Sequence, residues 1–197
     1  MWRALALGLF LIVAGCGEPA PLPTTAWRTT DISGADFGRS LNGLTDHRGK
    51  PTELADFRGK VVLIFFGYTA CPDACPTALI RFVAVMKALA ADAERVQVLF
   101  VTVDPERDTP EKLAVYVPWF HPSFIGLYGD PAAIAAAARE FKVYFARSTG
   151  SPGMGYLIDH STAAYAIDPA GRIRLYIKDD APVADIVADV RRLLAEK

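Results

Sequence analysis

The sequence predicts an α/β domain: a central mixed β-sheet flanked by helices, with a β-hairpin extension on its N-terminal side. Three observations lead there. First, Val61-Val62-Leu63-Ile64-Phe65-Phe66 and the run over 96–103 are apolar and rich in β-formers, without the polar alternation of a half-exposed strand. Second, Leu79, Phe82, Val83, Met86 and Leu89 recur between them at helical spacing, the mark of a helix laid on a sheet. Third, the order is β-α-β-α, then a helix, two strands and a closing helix, which is the order of a layered sheet.

Each element has a local reason. "SLNGLTDHRGKPTELADFRGK" reads as a β-hairpin with Asp46-His47-Arg48-Gly49 at its turn, followed by a second turn at 56–60. A helix is expected over 75–92, with Pro76 in the first turn, where a missing N–H costs nothing. In "DPERDTPEKLAVYVPWF", Thr109 is the expected N-cap and Pro110 the first helical residue. A short apolar stretch at 124–128, an alanine-rich helix over 131–141 and a strand at 143–145 come next. The loop "STGSPGMG" precedes two strands near 161–167 and 172–176, joined by the turn Asp168-Pro169-Ala170-Gly171. A helix over 182–195 closes the chain. A strand that runs into a cysteine pair at a helix N-terminus, with a later ββα unit, is the plan of the thioredoxin fold, expected here over residues 30–197.

The start of the chain reads differently. Arg3 gives a positive start, and the run from Ala4 to Ala14 is small and apolar. It is shorter than the roughly 20 residues of a membrane span and suits a signal-peptide core. Val13-Ala14-Gly15-Cys16 resembles the lipobox of bacterial lipoproteins, which implies that residues 1–15 are removed and Cys16 is lipidated. The Pro-rich segment that follows makes 16–29 a tether. The expected location is therefore a bacterial cell envelope, membrane-anchored and facing the periplasm. The formal net charge of −1 comes without a basic stripe, which argues against nucleic acid as a partner.

Of three cysteines, lipidation would use Cys16 and leave one close pair in an oxidising compartment. In "FFGYTACPDACPTAL", Cys71 and Cys75 stand at a helix N-terminus, whose free N–H groups and dipole favour a thiolate. A thiolate serves both disulfide exchange and soft metals such as Cu(I). Exchange motifs of the thioredoxin type place two residues between the cysteines; here there are three, and a four-residue spacing puts both sulfurs on one helix face. Among the histidines, His47 reads as a solvated turn residue and His121 as a surface residue. By position, His160 is either a third ligand or a satisfied loop-end histidine.

"FGYTACPDACPTAL", "VDPERDTPEKL" and "LIDHSTAAYAID" together resemble the Sco (SenC/PrrC) family, from about Gly43 to the end of the chain. The resemblance implies a thioredoxin-fold, membrane-anchored copper chaperone. Its cargo would be Cu(I), with Cu(II) as a second state, and its acceptor the copper A centre of cytochrome c oxidase subunit II. Other periplasmic copper chaperones are expected partners. By the same resemblance Cys71, Cys75 and His160 bind copper, and Asp159 and Asp73 are candidate supporting acids. Asp73 also has a plainer reading, a carboxylate complementing the helix dipole. Ala70 departs from the histidine that many bacterial members carry before the first cysteine. Two other classes stay open: a thiol–disulfide oxidoreductase using Cys71 and Cys75, and a copper or redox sensor. The expected class is a metallochaperone rather than an enzyme. No role in metal binding is expected for "DPERDTP", which a turn and a helix cap explain.

Overall fold

A computed structural model of the chain describes residues 26–149 and 155–196. The expected signal peptide, Cys16, most of the tether and the middle of the "STGSPGMG" loop lie outside the described residues.

The two apolar runs form β3 (Val61–Gly67) and β4 (Val96–Thr102), paired in parallel and buried at every position. Each buried Val, Ile or Phe side chain contributes about 1.5–3 kcal/mol, so this pair sets the centre of the core. Around it the sheet adds β1 (Thr30–Asp31), β2 (Thr45–Asp46), β5 (Ile125–Tyr128), β8 (Ala164–Ile167) and β9 (Ile173–Ile177). The order across the sheet is β1-β9-β8-β3-β4-β5-β2. β5 continues the parallel set, whereas β8 and β9 run antiparallel. This is the mixed sheet the sequence predicts. The remaining strands, β6 (Phe145–Thr149) and β7 (Tyr156–His160), form a separate antiparallel hairpin. The sequence predicts a strand near each end of this hairpin, at 143–145 and 161–167, but not the hairpin itself.

The helices are α1 (Ala74–Leu89), α2 (Pro110–Phe120), α3 (Pro131–Glu140) and α4 (Val183–Ala195). α1 buries Cys75, Ala78, Leu79, Phe82, Val85, Met86 and Leu89, the stripe expected, with Val83 at its half-buried margin. It ends earlier than the 75–92 expected because Ala90 turns to φ 53° and a 3-10 segment follows over Ala90–Arg95. At α2 the Thr109 side chain accepts from the Lys112 N–H at 3.3 Å, and Pro110 is the first helical residue.

The hairpin turn at 46–50 is present. Buried Asp46 accepts the N–H groups of Arg48 and Lys50, both at 2.9 Å, and Gly49 takes φ 87°. Thr45 bridges Pro51, and the same residues add β2 to the free edge of β5. His47 differs from its expected solvated state. It is half-buried, and its Nδ1 accepts the Gly126 N–H at 2.9 Å, so burial holds its pKa below the usual value. The start of the described chain is tied to α4, where buried Asp189 accepts from the Arg28 and Thr29 N–H groups and the Thr29 hydroxyl.

Candidate metal centre

The centre sits where β3 ends and α1 begins. β3 carries the chain to Gly67, and the turn that follows is closed by the Cys71 N–H donating to the Tyr68 carbonyl at 3.2 Å. Cys75, in the first turn of α1, is fully buried; Cys71 is half-exposed in the loop. His160, the last residue of β7, reaches across so that its Nε2 lies 3.4 Å from Cys75 Sγ. The two sulfurs and a ring nitrogen of His160 all lie within 4.8 Å of one another. Residues 85 positions apart are thus brought to one point.

The surroundings explain this convergence. A Cβ on Gly67 would stand 2.7 Å from Cys75 Sγ, 2.9 Å from the Phe65 ring and 3.0 Å from the Phe100 ring. Real Cβ atoms do not come that close, so glycine at 67 makes room for the sulfur. The Tyr68 N–H points at Cys75 Sγ at 3.4 Å. The His160 ring is held edge-on between Phe65 and Tyr68, at centroid distances of 6.0 and 5.8 Å. Its Nδ1 lies 2.9 Å from the Ser161 carbonyl. A carbonyl only accepts, so Nδ1 carries a proton, and Nε2 is the ring nitrogen turned to the sulfurs.

The two thiols are unequal. A hydrogen bond from Cys75 pulls the Cys71 thiol down to about 3, against its partial burial, with further help from His160 and from the backbone N–H groups of Asp73 and Cys75. The same hydrogen bond between the sulfurs, with burial and the neighbouring negative charge, pushes Cys75 up. The proton of the pair therefore stays on the buried sulfur, and the thiolate is the exposed one.

The two acids singled out from sequence lie elsewhere. The Asp73 side chain is exposed and accepts from the Thr77 hydroxyl at 3.4 Å; it is its backbone N–H that supports Cys71. Asp159 accepts from the Ser148 hydroxyl at 3.1 Å. Alternate residues of a strand point to opposite faces, and only His160 faces the sulfurs. The ring is oriented by the Ser161 carbonyl.

Sequence reasoning missed the support that "DPERDTP" supplies. Asp108, 1% exposed, accepts from the Thr69 N–H at 2.9 Å, the Thr69 hydroxyl at 2.6 Å and the Thr102 hydroxyl at 2.7 Å. It anchors the loop that leads to Cys71, and burial raises its pKa. Asp104, equally buried, pairs with Arg107 and accepts from the Tyr156 hydroxyl at 2.7 Å. Arg107 lies over the Tyr156 ring at 3.7 Å and donates to the Tyr156 carbonyl at 2.8 Å. Tyr156 opens β7, so this group fastens the strand that ends in His160. Two aspartates four apart, Asp104 and Asp108, with Arg107 between them were the available signal; a turn and a cap used up only part of it.

A strand running into a Cys-x3-Cys loop at a helix N-terminus, with a histidine brought over it by a β-hairpin, defines a thioredoxin-like domain with a two-sulfur, one-imidazole centre. The SCO1/SenC family profile matches residues 31–195, and the chain belongs to that family. The mouse mitochondrial SCO2 homologue is 40% identical over 170 residues, covering 85% of this chain and 67% of that protein; of its bovine counterpart, 64% is covered. Among solved structures, Bradyrhizobium japonicum ScoI with copper bound has TM-score 0.69 and 39% identity, covering 76% of this chain and 95% of that one. Apo Sco1 from Thermus thermophilus has TM-score 0.72 and 36% identity, covering 87% and 99%.

Proposed function

We propose that this chain is a membrane-anchored copper chaperone that binds copper through Cys71, Cys75 and His160 and delivers it to the copper A centre of cytochrome c oxidase subunit II during assembly of the oxidase. The observation that carries the reading is the convergence of three soft or borderline ligand atoms within 4.8 Å. Thiolates with an imidazole suit copper, and ScoI, 39% identical, is a copper-bound relative. Cu(I) is the cargo the two sulfurs favour, with Cu(II) as a second state, and other periplasmic copper chaperones are its expected source.

Two features support transfer rather than storage. Cys71 lies half-open to solvent, so an acceptor's ligand can replace it while Cys75 and His160 still hold the ion. Beside the cysteine loop, Thr69, Val115, Tyr116 and Trp119 help to line an apolar groove of about 560 Å³, with Trp119 77% exposed. Exposed apolar surface of this kind marks a protein contact. Lipidation of Cys16 would hold the domain at the outer face of the membrane.

Anaerobic titration with Cu(I) against a competing chelator tests the site. A single equivalent should bind tightly. Loss of partners around metal ligands costs roughly 10–100-fold, so loss of a ligand in His160→Ala should cost at least about 100-fold. Unchanged affinity in that variant would sink the assignment.

One observation favours a second reading. A low-pKa, half-exposed Cys71 beside a buried, protonated Cys75 is also the asymmetry of an attacking and a resolving thiol. Mixing the copper-loaded protein with an apo copper A domain separates the two. Growth of the acceptor's copper absorption identifies transfer; reduction of its cysteines alone identifies the oxidoreductase.

A further inference from the structure

The end of the sheet opposite the cysteine loop holds a cleft of about 730 Å³ whose lining includes Arg39, Arg58, Arg172 and Arg174 against one carboxylate, Glu196. In a chain of formal net charge −1 this is a local concentration of positive charge. Arg174 is committed to Asp168 and Glu196, and Arg172 to Asp168. Arg39 and Arg58 make no ion pair among the described residues, and both are exposed. The Arg58 guanidinium lies over the turn between β8 and β9, where a Cβ on Gly171 would meet it at 2.5 Å. That glycine, at φ 75°, completes the turn and leaves the guanidinium its place.

The position of the cleft is as informative as its charge. Arg58 stands just before β3, and Cys71 just after it. Seven residues of strand separate the two ends by about 20 Å. The described chain starts at the cleft end: Trp27 lies under Arg174 at 5.3 Å and Arg192 at 3.9 Å. From Trp27 back to Cys16 the chain can span no more than about 40 Å.

We propose that this arginine cleft binds the phosphate headgroups of anionic phospholipids, seating the domain on the membrane with the Cys71/Cys75/His160 centre turned away from it. Guanidinium forks match phosphate oxygens in pairs, and two unpaired ones remain to do so. A domain tethered at Trp27 keeps the cleft within reach of the headgroups. Seated in this way, the site faces an approaching acceptor rather than the bilayer. The inference rests on the membrane anchoring proposed above, goes beyond copper binding and uses none of the three proposed ligand residues.

The test uses residues 26–197, since the ScoI and Thermus Sco1 chains, which consist almost wholly of this domain, are solved structures. The metal-free protein is sedimented with vesicles of phosphatidylcholine alone and of phosphatidylcholine with one third phosphatidylglycerol. Binding should appear only with phosphatidylglycerol and weaken as salt rises. A basic side chain near such a surface contributes roughly fivefold, so Arg39→Ser with Arg58→Ser should lower partition about 25-fold. Arg39→Lys with Arg58→Lys should retain most of it. Cu(I) stoichiometry, measured on the same variants, should not move; it reports an intact fold and is judged independently of the lipid result. Equal binding to both vesicle types, or full binding by the serine variant, would overturn the proposal. So would displacement by millimolar inorganic phosphate, which would assign the cleft to a soluble phosphate.

Discussion

The three residues proposed as copper ligands are held in two different ways. Cys75 is built into the core: it is fully buried and fits the space left by Gly67, which the Phe65 and Phe100 rings also border. His160 ends a two-stranded hairpin outside the seven-stranded sheet, and that hairpin is fastened by the group of Asp104, Arg107 and Tyr156. Cys71 lies between, in a loop stitched down by Asp108 through Thr69. One sulfur is therefore fixed by close packing and the imidazole by a polar clamp. A close-packed core resists small displacements, whereas a half-exposed hydrogen-bonded clamp yields more readily. A site built from one rigid and one looser arm can hold an ion and still open.

The largest contrast should appear between the two thiols of the metal-free protein. With its thiol pulled down to about 3, Cys71 remains a thiolate as pH falls, and only below that value does it protonate. Its alkylation rate should be nearly flat between about pH 5 and 8, where an ordinary thiol gains about tenfold per unit. Its absolute rate need not be high, because nucleophilicity falls with pKa; the flat profile is the signature. Cys75 should resist labelling until the fold opens. Mass spectrometry of each cysteine separately reads both. A rate for Cys71 that climbs tenfold per pH unit would remove the asymmetry.

Gly67→Ala attacks the rigid arm. The new methyl meets a sulfur and two ring carbons, all at 3.0 Å or less, and none is the loose end of a flexible chain. Overpacking of this kind costs about 1–3 kcal/mol, and the upper part of that range is expected. Thermal melting should fall, and Cu(I) affinity should fall with it if the displaced sulfur is the ligand proposed above. A variant of normal stability and affinity would show that Cys75 is less confined than the packing indicates.

Much of this was legible in sequence. Apolar runs, helix caps and the Asp46 and Asp168 turns announced themselves through local rules, and a central mixed sheet followed from the order of strands and helices, though the order of strands across it did not. The cysteine pair was visible because helix N-termini treat thiols in a known way. What sequence hid was long-range. His160 could not be joined to Cys75 from position, because the joining element is a hairpin whose strands mix exposed residues such as Arg147 and Asp159 with half-buried ones and lack a strong pattern. His47 looked like a solvated turn residue because its acceptor role depends on Gly126, 79 residues away. The aspartates at 104 and 108 read as turn and cap residues, since a buried carboxylate is recognised only by the donors that other segments bring to it.

The smallest effect sharpens the comparison most. Tyr156→Phe removes the hydroxyl that donates to Asp104 at 2.7 Å and leaves the Arg107 stacking on the ring in place. The net cost is about 1 kcal/mol, and it falls on the hairpin arm rather than on the core. Melting should therefore shift by only a few degrees. Amide exchange in β6 and β7 should quicken while β3 and β4 stay protected, as expected for local opening. Because β7 carries His160, Cu(I) affinity should drop severalfold although no ligand has changed. If β7 amides and Cu(I) affinity both stay at wild-type values, Asp104 and Arg107 serve only their own loop, and the hairpin is positioned by the packing of His160 between Phe65 and Tyr68 instead.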